Sequence, residues 1–542
     1  MRKLFLLPFL LFMVYGLFAQ QNNMAAKPKL VVGIVVDQMR WDFLYRYNAG
    51  YGEDGFKRLL KDGFSCENTF IPYVPTYTAP GHTTVYTGSV PAIHGIVGND
   101  WYQASINKNL YCTEDSTVST VGSNSALGQM SPANLLVTSI ADELRLSNNF
   151  KSKVIGIALK DRGAILPAGH SGNAAYWYDD TFGGWISSTY YQPQLPAWVQ
   201  AENDKQYPAK TMSKDWNLLL PADKYTQSTP DDRKYEGKIS GTNGVTFPHK
   251  LSEIDKQKFS AFKYTPFAST YTFDMAKAAI KNEKLGAGAY TDMLAVSISS
   301  TDYMGHTFGP NSLEAEDTYL RLDRDIADFL KHLDATIGKG NYLVFLSADH
   351  AAAHVPGYLN ENKIPGGTFS GRLLSDNLKK HLKETTGLDN AIITLQNNQV
   401  YLDNAKIKSS GKNIKEVEEE VMNFLKGQPF IEYVYVTAEV QNATIPYPIK
   451  QMIINGYNPK RSGHIGYIPK ANFFSGGATG TTHGSWNPYD SHIPLVWFGT
   501  GIKPGKTNRE TYMSDIAPTL AAILQIQMPS GNVGKVITEV TK

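Results

Sequence analysis

Cysteine is scarce in this chain, with two residues among 542. Cys66 and Cys112 form no CxxC pair, and this argues against a metal site built from cysteine thiolates. A disulfide between them and two separate thiols both stay open, because sequence spacing cannot decide a pairing.

An excess of charge of either sign is also lacking. The chain carries 52 Lys and Arg against 50 Asp and Glu, a formal net charge of +2. A nucleic-acid-binding protein needs a clustered basic face, so we expect no nucleic-acid partner. With 42% hydrophobic and 19% charged residues, the composition is that of a globular protein with one or more large cores.

Long hydrophobic runs are confined to the N-terminus. Arg2 and Lys3 precede an apolar stretch over residues 4–18, which Ala19 ends before polar Gln20. The stretch is short for a membrane span and is typical of a cleaved signal peptide. We expect a signal peptide at 1–20, a periplasmic or secreted protein and no membrane span in the mature chain; an uncleaved anchor is the alternative.

Apolar, β-branched runs alternate with helical patterns along the rest of the chain. The runs are residues 30–36, 154–158, 293–298, 342–346 and 493–498, and the helical patterns lie at 132–146, 312–333 and 515–524. Continuous apolar runs indicate strands buried on both faces. The alternation predicts an α/β fold with a mostly parallel central sheet sandwiched by helices.

Two segments break this rhythm, at about 169–285 and 356–475. The first is rich in Tyr, Trp and Pro without a strand–helix period, and the second has helical and strand patterns of its own. We interpret residues 21–542 as one domain in which both segments are insertions that cap the active face.

Six residues that can bind metal follow the predicted strands or lie in a Gly-rich loop: Asp37, Asp302, His306, Asp349, His350 and His483. In α/β sheets, ligands bind beyond the carboxyl ends of the strands. Three carboxylates and three imidazoles suffice for two metal ions, and this donor set favours Zn²⁺. Any one of these histidines alone is better explained as a surface or hydrogen-bonding residue. His82, His94, His354 and His492 lie close by and are interpreted as supporting residues.

Thr78 lies at a predicted helix start, where Pro80 suits the first turn. A hydroxyl there sits in the positive field of the helix N-terminus, which also favours a phosphate group. A plain helix cap is the commoner role for such a threonine. Asn99 could donate an amide hydrogen bond to a phosphoryl oxygen, although a turn residue after Gly98 is a strong alternative.

Lys160 and Arg162 follow the predicted strand at 153–159. A separation of two on a strand places both side chains on one face, where they could bind the oxygens of a phosphate. The alternative is a solvated charge pair with Asp161.

Taken together, these motifs resemble the alkaline phosphatase superfamily and its flavobacterial PafA-type phosphatases, over nearly the whole mature chain. The motifs are Asp37-Gln, Thr78-Ala-Pro-Gly-His82, Gly98-Asn99-Asp100, Lys160-Asp-Arg162, Thr301-Asp302-Tyr-Met-Gly-His306, Asp349-His350 and Thr482-His483-Gly.

The resemblance implies one zinc on Asp302, His306 and His483. It implies a second on Asp37, Asp349, His350 and the Thr78 oxygen, with Asn99, Lys160 and Arg162 binding phosphate. We therefore expect a phosphomonoesterase that uses two Zn²⁺ per chain, forms a phospho-threonine at Thr78 and acts on small-molecule phosphate monoesters. The oligomeric state is left open, with a monomer as the working expectation.

The Thr-using branches of this superfamily include diesterases, so a phosphodiesterase or nucleotide pyrophosphatase is the second hypothesis. A Lys/Arg pair suits the dianion of a monoester. A sulfatase is disfavoured because its C/S-x-P-x-R motif is absent at Thr78. The alternative outside the enzymes is an exported phosphate-binding or adhesive protein with an inactive site.

Overall fold

A ten-stranded sheet forms the centre of the protein in the computed structural model, which describes residues 27–541. The predicted signal peptide at 1–20 lies outside the described residues. The strands are β1 (Leu30–Val36), β2 (Phe64–Cys66), β3 (Thr120–Val121), β4 (Val154–Ala158), β5 (Ala174–Asp179), β6 (Gly184–Ser188), β7 (Asp292–Ile298), β8 (Tyr342–Ser347), β9 (Leu495–Gly499) and β10 (Gly505–Thr507). Their spatial order is β10-β2-β9-β8-β1-β7-β4-β5-β6-β3.

The five central strands β8, β1, β7, β4 and β5 are all parallel. Antiparallel pairs occur towards the edges, between β8 and β9, β9 and β2, β5 and β6, and β6 and β3. All seven residues of β1 are buried, as a strand covered on both faces requires. The mostly parallel central sheet predicted from the apolar runs is confirmed.

Helices cover the sheet. The longer ones are α1 (Thr78–Thr87), α2 (Asp161–Ala168), α3 (Ala197–Asp204), α4 (Phe267–Glu283), α5 (Ser300–Phe308), α6 (Leu313–Leu333), α7 (Gly371–Thr386), α8 (Ile414–Lys426), α9 (Tyr447–Gly456) and α10 (Ile516–Leu524). The shorter ones are Phe43–Arg46, Phe56–Asp62, Pro91–His94, Ile140–Leu146, Tyr207–Thr211, Lys258–Phe262, Pro356–Glu361, Asn404–Ser409 and Pro488–Ser491.

Local capping sets where several helices begin. Ser312 caps α6 by accepting a hydrogen bond from the amide of Ala315, so the predicted helix at 312–333 is confirmed. The predicted helix at 132–146 is shorter than expected and begins at Ile140. Ser139 and Asp142 form a capping box there, and this reciprocal bonding fixes the helix start.

The segment at 356–475 contains α7 to α9 and a separate four-stranded sheet. The strands of this sheet, in spatial order, are Ile392–Gln396, Gln399–Leu402, Ile465–Pro469 and Ile431–Val436. Leu378, Val400 and Val421 are fully buried in its own hydrophobic core. Residues 392–402 form a hairpin, because Asn397 and Asn398 both adopt positive φ angles that turn the chain.

Part of the segment at 169–285 belongs to the central sheet and to the helices that cover it. Its residues 174–188 extend the main sheet as β5 and β6, and α4 packs against β7. The sequence pattern did not predict these two strands, because β5 and β6 are rich in aromatic rather than aliphatic residues. That the remaining parts of both segments cap the active face stays a prediction.

Other short strands pair outside the main sheet: Thr69–Phe70, Asp100–Gln103, Lys108–Tyr111, Gly367–Phe369, Phe473–Ser475, His492–Ile493 and Thr511–Tyr512. Cys66 and Cys112 are both buried free thiols in different hydrophobic clusters, so they do not form the disulfide left open above. Across residues 27–541, no helix has the length and apolarity needed to cross a bilayer.

Gly156 lies where β4 meets α2, and a Cβ added there would lie 2.0 Å from the backbone oxygen of Ala164. We expect Gly156→Ala to lower the free energy of unfolding by about 1–3 kcal/mol, because strand and helix must separate. Thermal or denaturant unfolding measures this loss. Gly427→Ala is the matched control, since its added Cβ would meet the backbone only at 3.4 Å. Equal stability of the two variants would contradict the close packing.

Candidate active site

Acidic and basic side chains meet at the carboxyl ends of four neighbouring parallel strands. Asp37 follows β1, Lys160 follows β4, Asp302 lies in α5 after β7, and Asp349 and His350 follow β8. These strand ends share one edge of the sheet, which is where ligands bind in such folds. The structure therefore brings these residues to one site.

Asp302, His306 and His483 form the first candidate metal group, with ligand atoms all within 4.8 Å of one another. The Nε2 atom of His306 lies 3.1 Å from Oδ1 of Asp302, and that of His483 lies 3.8 Å from the same oxygen. Asp302 and His306 are four residues apart in α5, so they occupy one face of this helix.

Asp37, Asp302 and His350 form the second candidate metal group. The Nε2 atom of His350 lies 3.4 Å from Oδ1 of Asp37 and 3.5 Å from Oδ2 of Asp349. Asp302 thus belongs to both groups, whereas the family resemblance placed it with one metal and Asp349 with the other.

All three histidines are oriented by backbone carbonyl groups. The Nδ1 atoms of His306, His350 and His483 lie 2.8, 3.0 and 2.7 Å from the carbonyl oxygens of Thr481, Ala351 and Thr76, respectively. An imidazole that donates Nδ1–H to a carbonyl presents Nε2 as its lone-pair donor. Each Nε2 atom is directed toward the cluster, as metal ligation requires.

Two carboxylates of the site are buried with one oxygen each left without a hydrogen-bond partner in the described chain. Oδ1 of Asp37 and Oδ2 of Asp349 are buried without a hydrogen-bond partner among residues 27–541. Burial and the charges of Asp302 and Asp349 raise the pKa of Asp37. Burial alone would raise the pKa of Asp302, but His306 and Lys160 hold it well below its usual range. Buried oxygens with free lone pairs beside imidazoles fit divalent cations, zinc foremost.

Thr78 is the first residue of α1, and Tyr77 occupies the cap position without a side-chain cap bond. The alternative that Thr78 is a plain helix cap is therefore wrong. Its hydroxyl oxygen is buried 3.4 Å from Nε2 of His350. The hydroxyl thus faces the second metal group from the positive end of a helix.

Asn99 performs the cap function instead. Its Oδ1 accepts a hydrogen bond of 2.9 Å from the amide of Ala79, in the first turn of α1. This bond fixes the amide plane, so the NH₂ group is left as the free donor of the side chain. Such a donor beside Thr78 suits a phosphoryl oxygen.

Lys160 and Arg162 do not share a strand face as expected, because β4 ends at Ala158 and α2 begins at Asp161. The Nζ atom of Lys160 lies 2.5 Å from Oδ2 of Asp37 and 2.6 Å from Oδ2 of Asp302. Burial would lower the pKa of Lys160, but the two carboxylates raise it. Lys160 is therefore a cation held between the two metal groups.

Arg162 donates from Nη1 to the hydroxyl of Tyr111 at 2.9 Å. Asp161 instead accepts hydrogen bonds from Tyr111 and Thr113. Within the described chain no ion pair joins Asp161 to Lys160 or Arg162, so the alternative of a solvated charge pair with Asp161 is wrong.

Gln38 is a site residue that the sequence did not single out. Its Nε2 donates to Oδ1 of Asp302 at 2.6 Å, and its backbone amide donates to Oδ1 of Asp349 at 3.2 Å. A φ of 65°, unusual for a side chain of this size, turns both donors inward. Its position directly after Asp37 is the one signal that could have identified it.

The supporting histidines differ in their contacts. His82 lies 3.0 Å from the carbonyl oxygen of Thr78 through Nδ1 and 2.8 Å from Oγ of Ser297 through Nε2. Its Nδ1 is also 3.4 Å from Oδ2 of Asp349. His82 thus supports the site directly, while His94, His354 and His492 bond elsewhere, to Thr84, Asn311 and Glu67.

Gln38→Ala should weaken divalent-metal binding by about 10- to 100-fold, because Asp302 and Asp349 lose a donor that orients them. Titration of zinc into metal-stripped protein, followed by calorimetry, measures the affinity. Gln257→Ala is the matched control, since Gln257 has a similar φ of 61° but lies on the surface. If both variants bind zinc as the wild type does, Gln38 has no orienting role.

Comparisons with known proteins agree with this geometry. Residues 31–490 match the family model described as type I phosphodiesterase / nucleotide pyrophosphatase. Alkaline phosphatase PhoV of Synechococcus elongatus is 52% identical, over 95% of this chain and 94% of its own length. Alkaline phosphatase PafA of Elizabethkingia meningoseptica is 51% identical, over 96% of both chains. A Myroides odoratus protein named calcium-transporting ATPase is 52% identical, over 95% of this chain and 94% of its own length.

The crystal structure of wild type alkaline phosphatase PafA superposes with a TM-score of 0.94 at 51% identity, and covers 96% of this chain and 100% of its own. Murine ectonucleotide pyrophosphatase / phosphodiesterase 5 shares the fold, with a TM-score of 0.52 at 14% identity over 93% of this chain and 96% of its own. The chain therefore belongs to the alkaline phosphatase superfamily, in the type I phosphodiesterase / nucleotide pyrophosphatase family, beside the PafA-type alkaline phosphatases.

Proposed function

We propose that this protein is an exported alkaline phosphatase that hydrolyses phosphate monoesters through a phospho-threonine and releases inorganic phosphate. One observation carries the proposal: the buried Thr78 hydroxyl lies 3.4 Å from Nε2 of His350, at a helix N-terminus and beside two metal-ligand groups. The names of the full-length relatives support the monoesterase class.

The donor set fits two zinc ions. Asp302, His306 and His483 would hold one. Asp37, Asp349 and His350, with the Thr78 oxygen, would hold the other. When bound, the two cations would lower the pKa of the Thr78 hydroxyl and neutralise charge on the leaving oxygen.

Thr78 is the nucleophile of the proposed reaction. Its oxygen bonds to phosphorus in line with the ester oxygen, the P–O bond to the alcohol breaks, and the phosphoryl group remains on Thr78. Water then attacks phosphorus from the side the alcohol left, the bond to Thr78 breaks, and inorganic phosphate is released. The helix N-terminus stabilises negative charge throughout.

Asn99, Lys160 and Arg162 provide the phosphate contacts. The transition state of phosphoryl transfer is loose, so positioning and charge neutralisation supply most of the catalysis. Asn99 offers an amide donor fixed by its bond to Ala79. Lys160 offers an ammonium on a flexible stem beside Asp37 and Asp302, and Arg162 offers a guanidinium whose Nε has no partner among residues 27–541.

Lys160 and Arg162 also bear on whether the substrate is a phosphate monoester or a diester. A monoester dianion presents three non-bridging oxygens, whereas a diester carries one negative charge and a second bulky group. The family resemblance places Lys160 and Arg162 at the phosphate, and two such cations favour the dianion. The second candidate, a phosphodiesterase or nucleotide pyrophosphatase, takes its support from the matching family model.

Export is proposed on the sequence of residues 1–20, with their charged start and short apolar core. The mature protein would then act in the periplasm or outside the cell on small-molecule phosphate monoesters. Metal ligands from carboxylate and imidazole, with no cysteine, suit such an oxidising compartment because they are not themselves oxidised there.

Thr78→Ala should lower kcat for an aryl phosphate by roughly 10³-fold or more, because the residual rate must come from binding and charge stabilisation alone. Thr78→Ser, which keeps a hydroxyl, should retain measurable turnover. Trapping of phosphate on the protein by acid quench, with ³²P-labelled substrate, should label the wild type and the serine variant.

Elemental analysis of zinc in the Thr78→Ala protein shows whether a loss of activity comes from the missing hydroxyl alone or from a disrupted metal site. Near-full activity of Thr78→Ala with normal zinc would rule out the covalent route.

Lys160→Ala combined with Arg162→Ala should lower kcat/KM for a monoester by about 10²- to 10³-fold. The loss for a bis-aryl phosphate diester should be far smaller, because that substrate carries less charge. Steady-state kinetics on both substrates give the comparison. The control is Arg372→Ala with Lys379→Ala, two exposed residues of α7. Equal losses on monoester and diester would refute the assigned role of the pair.

A further inference from the structure

Tyr303 lies in α5 between the candidate metal ligands Asp302 and His306, but the proposed reaction gives it no role. Its side chain is half-buried, and the Nζ atom of Lys160 lies over its ring, 5.1 Å from the ring centre. An ammonium within about 6 Å of the centre of an aromatic ring is attracted by the negative face of that ring. The ring is therefore a third partner of Lys160, beside the carboxylates of Asp37 and Asp302.

Burial strengthens the contact between Lys160 and the Tyr303 ring. The side chain of Lys160 is 2% exposed, and a cation–π contact is worth more where water does not compete for the cation. Lysine carries its charge at the end of a flexible four-carbon stem. The groups that surround Nζ therefore decide where the charge of Lys160 lies.

The ring differs from the other two partners of Lys160 because it does not bind metal. Asp37 and Asp302 both belong to the candidate metal groups. A carboxylate oxygen that binds a divalent cation has fewer lone pairs left for an ammonium. The contact with the Tyr303 ring does not compete with metal binding, so it can keep Nζ in place when the carboxylates bind metal.

The segment at 169–285 packs on the Tyr303 ring through two neighbouring residues. The ring of Tyr264 lies with its centroid 5.2 Å from that of Tyr303, at an interplanar angle of 54°. The Nζ atom of Lys263 lies 5.2 Å from the centre of the Tyr303 ring. Lys263 also forms an ion pair of 2.6 Å with Asp180, which follows β5. Contacts from outside α5 therefore hold the Tyr303 ring, and the segment reaches the candidate active site here.

We propose that Tyr303 is a positioning residue whose ring holds the Lys160 ammonium where the phosphate binds, while Tyr264 and Lys263 hold the ring. The inference rests on the proposed phosphomonoesterase function and adds to it a residue that acts on the phosphate through Lys160. It also gives the segment at 169–285 a part in phosphate binding. The face of the ring makes the contact, so the Tyr303 hydroxyl has no part in it.

Tyr303→Leu should weaken the binding of inorganic phosphate to the zinc-loaded protein by about tenfold, because the cation–π contact is lost. Tyr303→Phe keeps the ring and should bind phosphate within about twofold of the wild type. Isothermal titration calorimetry measures both affinities without turnover. Tyr290→Leu is the matched control and should leave the affinity unchanged, since the Nζ atom of Lys151 also lies 5.1 Å from the Tyr290 ring but Tyr290 is 41% exposed.

A double-mutant cycle with Lys160→Ala separates positioning of the ammonium from general damage to the site. Tyr303→Leu alone should lower kcat/KM for phenyl phosphate by about tenfold. In the Lys160→Ala background the same change should alter phosphate binding and kcat/KM by less than about twofold, because the ammonium that the ring holds is gone. Zinc analysis checks the metal site of each variant. If Tyr303→Leu loses zinc, a ring-fluorinated phenylalanine at position 303 replaces it, since fluorine weakens the negative face with little change of shape.

Equal losses from Tyr303→Leu with and without Lys160, at full zinc content, would overturn the positioning role. A loss in Tyr303→Phe as large as that in Tyr303→Leu would do the same. If the wild type hydrolyses phenyl phosphate and Tyr303→Leu is unaffected, the proposed function stands and only this inference fails. If the wild type hydrolyses no monoester but binds phosphate in a way that depends on Tyr303 and Lys160 together, the proposed function fails and the positioning role stands. If it neither hydrolyses monoesters nor binds phosphate, both fail.

Discussion

In-register parallel pairing of three central strands is the constraint on which the site depends. Val36 at the end of β1 pairs with Ile298 at the end of β7, and Val35 pairs with Ser347 at the end of β8. The chain leaves all three strands at one level, so Asp37, Asp302 and Asp349 converge without any long loop. A shift of one residue in either pairing would turn these carboxylates away from each other.

The candidate metal ligands also hold together the loops beyond the strands. His483 bonds to the carbonyl of Thr76, just before α1, and His306 bonds to the carbonyl of Thr481. Each imidazole thus joins its own segment to another while presenting Nε2 to the site. The residues that join these segments are themselves the candidate ligands, so few side chains fix the geometry of the candidate site.

The sequence predicted the central sheet because buried parallel strands read as continuous aliphatic runs, as residues 30–36 do. It predicted the candidate ligands because these follow such runs. It failed for β5 and β6, whose Tyr and Trp residues resemble a loop-rich surface, and for Gln38, whose role depends on a backbone angle. The contacts of Lys160 were not predictable either, since they depend on the helix that begins one residue later.

The late position of His483 in the chain has a consequence for biogenesis. The first metal group stays incomplete until the polypeptide beyond residue 475 has been synthesised and has folded back onto α5. A nascent chain that has not yet reached residue 483 therefore cannot complete this candidate group. The full set of candidate ligands comes together only when nearly the entire chain has emerged and folded.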